Sequence, residues 1–385
     1  MRAYSWREYP TGLNSLGIAR AFISALSIMQ KRIQTLVDRL VSQGPERGLQ
    51  VAAYVDGKLV LNAWAGVADA VSGRTVDADT LFPVFSTTKG MAATIIHLLV
   101  ERGQLSYDEP IASVWPEFAA HGKGGITLRH ALNHTAGIPL MPRDITASEL
   151  HDWDTMCRKI AALEPFTPAG AKMEYHAMTY GWLLGEVARR ADGRAFPQLL
   201  AEEICRPLGM EAMYAGIPDA VEPRVAILEE YETVPVIDDG KPQSVPHWLW
   251  PLHAWMNRPD ARRSCIPASN GIMNALSIAR HYAALLPGGV DGVELLPPHR
   301  IKLAMEPQKP SQPQDDDFTK NRGLGYGLGW KYGNPATSFG SAGYGGSFGF
   351  ADLELKLAFG FTKNLYHKED TAAEILKEVH DALKK

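Results

Sequence analysis

Residues 81–103 read LFPVFSTTKGMAATIIHLLVERG and place Ser86 three positions before Lys89. Apolar residues then recur at helical spacing over residues 91–99, and Gly103 stands where a helix would end, so this stretch predicts a helix that begins near Ser86. Positions i and i+3 share a face of a helix, which would bring the hydroxyl and the amine together at the N-terminal end, where the helix dipole favours developing negative charge. A weak nucleophile beside a candidate base is the minimum that acyl transfer requires.

The Ser-x-x-Lys spacing alone leaves two interpretations open. Both residue types are common, and about one such pair is expected by chance in a chain of this length. In the second interpretation Ser86 only caps the helix and Lys89 is a solvated residue of the first turn. The rest of the chain has to discriminate between a catalytic pair and an ordinary helix start.

The composition is that of an ordinary globular protein and argues against several functions. The chain has 385 residues, of which 45% are hydrophobic and 21% charged, and its net charge is −4. A negative net charge without a basic run gives no support to nucleic-acid binding or to a polybasic membrane patch. No apolar run reaches the roughly 18 residues of a transmembrane helix. The length predicts two to three domain-sized units, or one domain with a large insertion.

The cysteines and the first residues bear on cofactors and location. Three cysteines, far apart in sequence, make a disulfide framework or a zinc ribbon unexpected: Cys157, Cys205 and Cys265. We expect no metal, no cofactor and a reducing compartment, the cytoplasm. The apolar segment 16–29 is interrupted by Arg20 and is not followed by a convincing cleavage site, so we interpret it as an extra arm, or as residues that precede a domain opening at Met29, rather than as a secretory signal.

The predicted elements follow the order strands, long helical middle, strands and a final helix. Two apolar runs flank Asp56-Gly57, the preferred dipeptide of two-residue hairpins, so residues 49–69 predict an antiparallel strand pair. We expect the two strand regions to form one antiparallel sheet, flanked by N- and C-terminal helices in an α+β sandwich, with a helical part inserted between them. The expected division is an N-terminal extension (1–28), a sheet domain (29–85 and 320–385) and a mostly helical domain (86–319), with the active site between the last two.

Periodicity and turn residues predict the remaining elements. Helices are expected at residues 33–41, 180–191, 196–204, 277–286 and 369–383, and short strands at residues 323–330, 339–350 and 353–361.

A second candidate motif is MEYHAMT, residues 173–179, which follows a Pro- and Gly-containing turn. Tyr175 would lie in a loop that leads into a helix, from which a phenol could reach an active site, although most such tyrosines only pack and form one hydrogen bond. His176 invites a Ser/His/Asp interpretation. No G-x-S-x-G elbow surrounds any serine, so we do not adopt it.

A third candidate is GSAGYGGSFG, residues 340–349. It is either a glycine-rich strand edge or bulge, or a strand whose backbone must approach a substrate closely and offer N–H donors to an oxyanion.

Taken together, FSTTKG, then YHA about ninety residues later, then a Gly-rich strand before a C-terminal helix, resemble the serine β-lactamase and penicillin-binding-protein-like superfamily. The closest similarity is to the family VIII carboxylesterases, whose fold resembles that of class C β-lactamases. The resemblance covers most of residues 29–380. It is supported by TLRHALNHTAGIP (127–139), YHAMTYGWLLGEV (175–187), ICRPLGM (204–210), IPASNG (266–271) and GYGGSFGFAD (343–352).

The resemblance implies that Ser86 is the nucleophile, Lys89 its base partner and Tyr175 a second proton carrier. Which of the amine and the phenol is the base stays open. By the same resemblance, the N–H of Ser86 and one N–H from the Gly343-Tyr344 turn would stabilise the oxyanion. The substrate-binding candidates are Gly343, Tyr344, Ser341, His176 and Trp248.

Two departures from the superfamily pattern bear on the substrate. The second motif usually has Asn two residues after its Tyr or Ser, whereas here Ala177 follows Tyr175 and His176. The third motif is usually Lys-Thr-Gly or His-x-Gly, whereas here Ser341 takes the place of the cation. Both changes argue against antibiotic hydrolysis as the main activity and favour a neutral ester.

The sequence therefore predicts a serine carboxylesterase that acts on short or medium acyl esters through an acyl-enzyme. Alternatives that use the same site are an acyltransferase of secondary metabolism, with the Trp-rich segment around Trp248, Trp250 and Trp255 as an acceptor pocket, and a weak β-lactamase or D-peptidase. A non-catalytic binding protein is the alternative outside enzymology. The expected partner is a small-molecule ester, or an acyl donor with an alcohol, with no nucleic acid and no membrane span. The oligomeric state, a homo-oligomer included, stays open.

Overall fold

The computed structural model describes residues 15–383 except 233–235, 237–239 and 331–332, with side chains from residue 27 onward. Within that range the strands are β1 (Gly48–Val55), β2 (Lys58–Asp69), β3 (Arg74–Thr75), β4 (Phe82–Phe85), β5 (Met213–Ala215), β6 (Glu229–Glu230), β7 (Gly271–Met273), β8 (Gly327–Leu328), β9 (Ser338–Ala342), β10 (Phe348–Asp352), β11 (Leu357–Lys363) and β12 (Leu365–Tyr366). The α-helices are α1 (Ser15–Ser42), α2 (Thr88–Glu101), α3 (Leu128–Leu132), α4 (Ala147–Leu150), α5 (Trp153–Ala161), α6 (Thr179–Asp192), α7 (Phe196–Leu199), α8 (Leu252–Met256), α9 (Pro259–Arg263), α10 (Ala275–Ala283), α11 (Pro298–Ala304), α12 (Asp317–Lys320) and α13 (Thr371–Leu383).

One large antiparallel sheet joins the two ends of the chain. Its strand order is β3-β2-β1-β11-β10-β9-β8. The predicted hairpin at Asp56-Gly57 connects β1 to β2, with Val55 opposite Lys58, and β1 then pairs along its length with β11. This arrangement confirms the predicted α+β fold, in which the first and last strand regions share one sheet and the helical part is inserted between them.

Helices cover both faces of this sheet. On one face α1 and α13 pack together over an apolar cluster that includes Ile33, Val51 and Phe359, all fully buried. On the other face α10 lies across β1, β10 and β11. Burial of these apolar faces is the main favourable term in holding the layers together.

The approach of α10 to the sheet depends on a row of small residues. Gly360 of β11 lies opposite Ala52 of β1 on one side and Gly349 of β10 on the other. A Cβ atom at Gly360 would lie 2.2 Å from the carbonyl oxygen of Ala275, and one at Gly349 would lie 2.2 Å from Cγ2 of Ile278. The glycines are therefore needed so that the helix can lie directly on the strands.

The second sheet, β4-β7-β5, leads into the site. Strand β4 ends one residue before Ser86, and α2 begins two residues after it. Helix α2 is buried from Thr88 to Leu99 because it runs through the middle of the molecule against α6. A helix that is apolar on all sides is typical of such a central position.

Several predicted elements have different bounds. The glycine-rich stretch predicted as one strand over residues 339–350 is two strands, β9 and β10, separated by a turn in which Gly345 and Gly346 have positive φ. The strand predicted from residue 353 begins later, at Leu357, because the Asp352 carboxylate accepts hydrogen bonds from the next turn's backbone N–H groups. The strand predicted over residues 323–330 is confined to β8, and the helix predicted over residues 196–204 begins as α7 and continues as a π-helical segment to Cys205.

Helix α1 runs without a break across residue 28, where we placed a domain boundary. The division into an extension, a sheet domain and a helical domain stays a prediction, and residues 1–14 of the extension lie outside the described residues. Among the described residues, no helix is both long enough and apolar enough to cross a membrane.

The helix–sheet contact at Gly360 can be tested by adding one methyl group. Gly360→Ala is expected to lower the free energy of unfolding by roughly 1–3 kcal/mol, because the new Cβ meets backbone atoms of α10 that cannot rotate away. Urea unfolding followed by circular dichroism measures the change. Gly125→Ala is the matched control, since nothing lies within 4 Å of a Cβ at Gly125. Equal stability of the two variants would contradict the packing described here.

Candidate active site

Ser86 lies in the turn between β4 and α2. The residue before it, Phe85, has a φ of 45°, an unusual value for a residue with a side chain. Thr88 holds this turn, because its hydroxyl donates to the carbonyl oxygen of Phe85 and accepts a 2.8 Å hydrogen bond from the N–H of Gly271. Backbone strain of this kind is often found at functional sites, where the surrounding structure maintains it.

The Lys89 side chain is buried and has a hydrogen-bond acceptor for each of its three donors. Its Nζ atom lies 3.1 Å from Ser86 Oγ, 2.8 Å from the carbonyl oxygen of Ala177 and 2.9 Å from that of Ala268. When the amine is protonated, it can donate to all three of these oxygens. When it is neutral, it can donate to the two carbonyl oxygens and accept the Ser86 proton through its lone pair. The alternative in which Lys89 is a solvated residue is therefore wrong, because only 4% of the residue is exposed.

Burial lowers the pKa of Lys89, and the nearby charge of Arg322 acts in the same direction, while Tyr175 opposes the shift. For Tyr175 burial tends to raise the pKa. The charge of Lys89, together with hydrogen-bond interactions with Lys89 and Ser86, outweighs this and leaves the pKa of the phenol below its ordinary value. Opposite charges at short range favour the ionised form of each partner. The hydroxyl, the amine and the phenol therefore form one coupled group.

Tyr175 lies in the loop before α6, as the sequence predicted, and 36% of the residue is exposed. The Lys89 Nζ atom lies 4.7 Å from the centroid of the ring. The three residues predicted to be catalytic, which span ninety positions of sequence, are thus brought together at the N-terminal end of α2.

His176 lies beneath the site and is fully buried. Its Nδ1 atom is 2.6 Å from the carbonyl oxygen of Glu174, and its Nε2 atom accepts a 3.2 Å hydrogen bond from the N–H of Ile138. Burial lowers the pKa of His176 to about 4, so the ring is neutral near pH 7. Both ring nitrogens are thus engaged by the backbone. The position of the ring suggests that His176 holds the loop of Tyr175, and its role in substrate binding stays a prediction.

The third motif packs directly on the nucleophile's turn. Ser341 Oγ donates a 2.9 Å hydrogen bond to the carbonyl oxygen of Ser86. A Cβ atom at Gly343 would lie 1.9 Å from the carbonyl oxygen of Val84, so only glycine fits there. The N–H of Gly343 donates to the carbonyl oxygen of Ser347 at 2.8 Å and is not free for a substrate.

Two backbone donors remain available beside the serine. Within the described residues, the N–H groups of Ser86 and Tyr344 donate to no protein acceptor. The Tyr344 ring is fixed by its hydroxyl, which donates to the carboxylate of Glu230, and by edge-to-face contact with Trp250 at a centroid distance of 5.5 Å. Of the predicted Gly343-Tyr344 turn, Tyr344 is thus the residue with an unengaged donor.

Trp248 is a partly exposed residue of the Trp-rich segment. It is 37% exposed and, with Trp250 and Trp255, lines a cavity of about 200 Å³. Trp250, rather than Trp248, provides the aromatic contact with Tyr344. Contact of Trp248 with a substrate stays a prediction.

Three residues near Tyr175 were not predicted from the sequence. The His134 ring stacks on Tyr180 and lies 5.1 Å from the Tyr175 ring, and its Nδ1 atom accepts a hydrogen bond from the N–H of His176. Phe318 contacts the Tyr175 ring, and Arg322 lies over both aromatic rings. The Gly- and Pro-containing loop around His134 could have indicated a site residue from the sequence, whereas nothing in the local sequence indicates Phe318 or Arg322.

In the part of the chain that the structure describes, no group of three or more His, Cys, Asp or Glu side chains could hold a metal ion. The three cysteines are free, and burial raises the pKa of the Cys205 thiol to about 12. A thiol with so high a pKa is a poor nucleophile near pH 7.

An antiparallel sheet closed by both ends of the chain, with a serine and a buried lysine at the start of a central helix, defines the β-lactamase-like class of serine hydrolases. The comparisons with known proteins agree. A family model described as Beta-lactamase matches residues 34–384, and the chain therefore belongs to the Beta-lactamase family.

Individual relatives support the same assignment. The chain is 33% identical over 351 residues to a protein named Esterase/beta-lactamase LipL from Mycobacterium tuberculosis (strain ATCC 25618 / H37Rv), covering 86% of this chain and 81% of that protein. Among solved structures, a family VIII carboxylesterase aligns with a TM-score of 0.82 and 30% identity, and a penicillin-binding protein homolog from Caulobacter crescentus with a TM-score of 0.78 and 31% identity. Both alignments cover 92% of this chain and 97% of the other. The predicted superfamily and the predicted enzyme class, a serine hydrolase, are confirmed.

The position of His176 generates a stability prediction. His176→Ala is expected to lower the free energy of unfolding at pH 7 by roughly 2–4 kcal/mol, because it leaves two buried backbone groups unpaired and opens a cavity. His299→Ala, at an exposed position, is the control and should change stability by less than about 0.5 kcal/mol.

The same pair of proteins gives a pH signature. The pKa of His176 is about 4 in the folded protein, below its ordinary value of 6.5. The stability that depends on the neutral ring is complete above about pH 6.5 and is lost as the pH falls towards 4. The difference between wild type and His176→Ala should therefore narrow from pH 7 to pH 4. A difference that is constant with pH would contradict the burial of a neutral ring.

Proposed function

We propose that this protein is a carboxylesterase that hydrolyses short or medium acyl esters through an acyl-enzyme on Ser86. The observation that carries the proposal is the 3.1 Å hydrogen bond between Lys89 Nζ and Ser86 Oγ, formed by a buried amine whose pKa is lowered. A serine hydroxyl is a weak nucleophile until a neighbouring base takes its proton, and burial is what makes a lysine able to do so near neutral pH.

The proposed acylation step uses the coupled group as a whole. Ser86 Oγ attacks the ester carbonyl carbon while its proton passes to the Lys89–Tyr175 pair. The carbonyl oxygen becomes an oxyanion and accepts hydrogen bonds from the N–H groups of Ser86 and Tyr344. The C–O bond to the alcohol then breaks, and Tyr175, at the open side of the site, returns the proton to the leaving oxygen. Water completes the cycle by the reverse sequence and releases the acid.

Two features support an ester over a lactam or a peptide. Ala177 offers no side-chain amide for a substrate carbonyl, and its own carbonyl oxygen is engaged by Lys89. Ser341, in the position of the superfamily's usual cation, directs its hydroxyl to the backbone of Ser86. Hydrolysis of β-lactams or D-peptides would then be a side activity. We also propose the cytoplasm as the location, on the basis of the free cysteines.

Acyl transfer to an alcohol is the second candidate. The cavity lined by Trp248, Trp250 and Trp255 adjoins the Tyr344 turn through Trp250, and its aromatic walls would suit an apolar acceptor. Partitioning of one acyl thioester between water and added alcohols separates the two activities.

The nucleophile can be tested with a serine-directed fluorophosphonate and a para-nitrophenyl ester. Ser86→Ala is expected to abolish covalent labelling and to lower kcat/KM at least about a thousandfold, because no other group replaces the attacking oxygen. Ser113→Ala, at an exposed serine, is the control and should be labelled and turn over like wild type. Labelling that survives in folded Ser86→Ala would overturn the proposal.

The role of Tyr175 can be tested separately. Tyr175→Phe keeps the ring but removes the group that returns the proton, so kcat is expected to fall roughly 10²- to 10⁴-fold. The loss should be smaller for an ester of an acidic phenol, which leaves without a proton, than for an alkyl ester. Tyr231→Phe, at a tyrosine that is 78% exposed, is the control. An equal loss for both esters would assign Tyr175 a packing role only.

A further inference from the structure

Arg322 is a cation beside Tyr175 that forms no ion pair with any residue that the structure describes. It lies between α12 and β8, and its guanidinium carbon is 4.0 Å from the centroid of the Phe318 ring and 5.9 Å from that of Tyr175. It is close enough to Lys89 and Tyr175 to lower the pKa of both. The guanidinium is thus part of the same charged environment as the coupled group.

This guanidinium has no carboxylate partner in the part of the chain that the structure describes. Among residues 27–383 that the structure describes, no acidic side chain lies within salt-bridge distance of Arg322, and the side chain donates no hydrogen bond to a protein acceptor. Burial lowers the pKa of Arg322, and the phenols of Tyr175 and Tyr180 oppose this shift. The five N–H donors of the guanidinium are therefore without protein acceptors.

Other arginines of the chain behave differently. Arg262, which is 3% exposed, forms an ion pair with Glu222 and donates to the carbonyl oxygen of Met256. Arg194, at the surface, is bound by Asp192 and two glutamates. Withdrawing a charge from water is unfavourable unless a partner compensates for it, so charged groups inside proteins are normally paired. Arg322 is partly buried at the candidate active site and has no such partner among the described residues.

We propose that Arg322 binds a carboxylate of the substrate, so that the enzyme prefers esters that carry a negative charge near the ester bond. This inference rests on the proposed function. It also revises the expectation of a neutral ester. That expectation came from Ser341, which stands where the superfamily usually has a cation, whereas we propose that Arg322 supplies the cation from another segment. A guanidinium matches a carboxylate with two parallel hydrogen bonds, and stacking on Phe318 holds its plane.

The carboxylate could belong to the acyl group or to the leaving group, and paired substrates distinguish these sources. For the acyl side, a para-nitrophenyl glutarate monoester is compared with the neutral ester whose terminal carboxylate is replaced by an isopropyl group. For the leaving group, a meta-carboxyphenyl ester is compared with the phenyl ester. The measured quantity is the ratio of kcat/KM for the charged ester to that for its neutral partner.

Arg322→Gln is expected to lower this ratio roughly ten- to a hundredfold in one of the two pairs, because one charge-assisted, bidentate contact is lost. Arg322→Lys should retain part of the ratio, since it keeps the charge but not the fork. Arg263→Gln removes one positive charge from an exposed position and is the matched control for a general change of potential, with the ratio unchanged.

The inference is overturned if Arg322→Gln lowers kcat/KM equally for charged and neutral esters. A shift in the pH dependence of kcat/KM in the same variant would indicate that Arg322 acts only on the ionisation of Tyr175. If Arg322→Gln does not fold, the wild-type enzyme decides. A kcat/KM for the charged ester that exceeds that for its neutral partner in neither pair also overturns the inference. In each of these cases Ser86 labelling and turnover of the neutral ester still report on the proposed function, so the failure of one can be told from the failure of the other.

Discussion

The buried amine of Lys89 is the constraint on which the site depends. A buried N–H donor without an acceptor is costly, and the ammonium has three of them. Its acceptors come from the turn before α2, from the loop behind Tyr175 at Ala177 and from the segment before β7 at Ala268. Displacing any one of these segments would leave a buried donor unpaired. One side chain thus holds three distant parts of the chain in the arrangement that the proposed acyl transfer would use.

Close backbone approach is the second constraint, and it explains where glycine is required. Gly343 brings the end of β9 against Val84, so that the Tyr344 N–H lies beside the serine turn, and the paired glycines of β10 and β11 admit α10 to the sheet. Larger residues at these positions would push the third motif away from the nucleophile. The glycines of the sheet therefore help to position the site, because they allow neighbouring backbone segments to approach closely.

The sequence predicted those parts of the candidate site that lie in short segments with a recognisable local pattern. The spacing of Ser86 and Lys89, the Tyr175 loop and the glycine-rich strand were visible because each occupies a short segment with characteristic neighbours. His134, Phe318 and Arg322 were not predicted, because their relevance comes only from meeting Tyr175 across the fold. Trp248 was preferred to Trp250 for the same reason, since adjacent tryptophans in a loop cannot be told apart until their directions are known.

What the sequence by itself determined is the type and order of the main elements. Hydrophobic periodicity marked the central helix, Asp56-Gly57 marked the hairpin, and the two outer strand regions implied one sheet, because each of these signals is written in neighbouring residues. What only the tertiary structure decided is the environment of each group. Burial lowers the pKa of Lys89, and among the described residues the N–H of Tyr344 has no acceptor, unlike that of Gly343, and Arg322 has no carboxylate partner. Those properties depend on burial and on partners that lie many residues away in sequence, and no local pattern contains them.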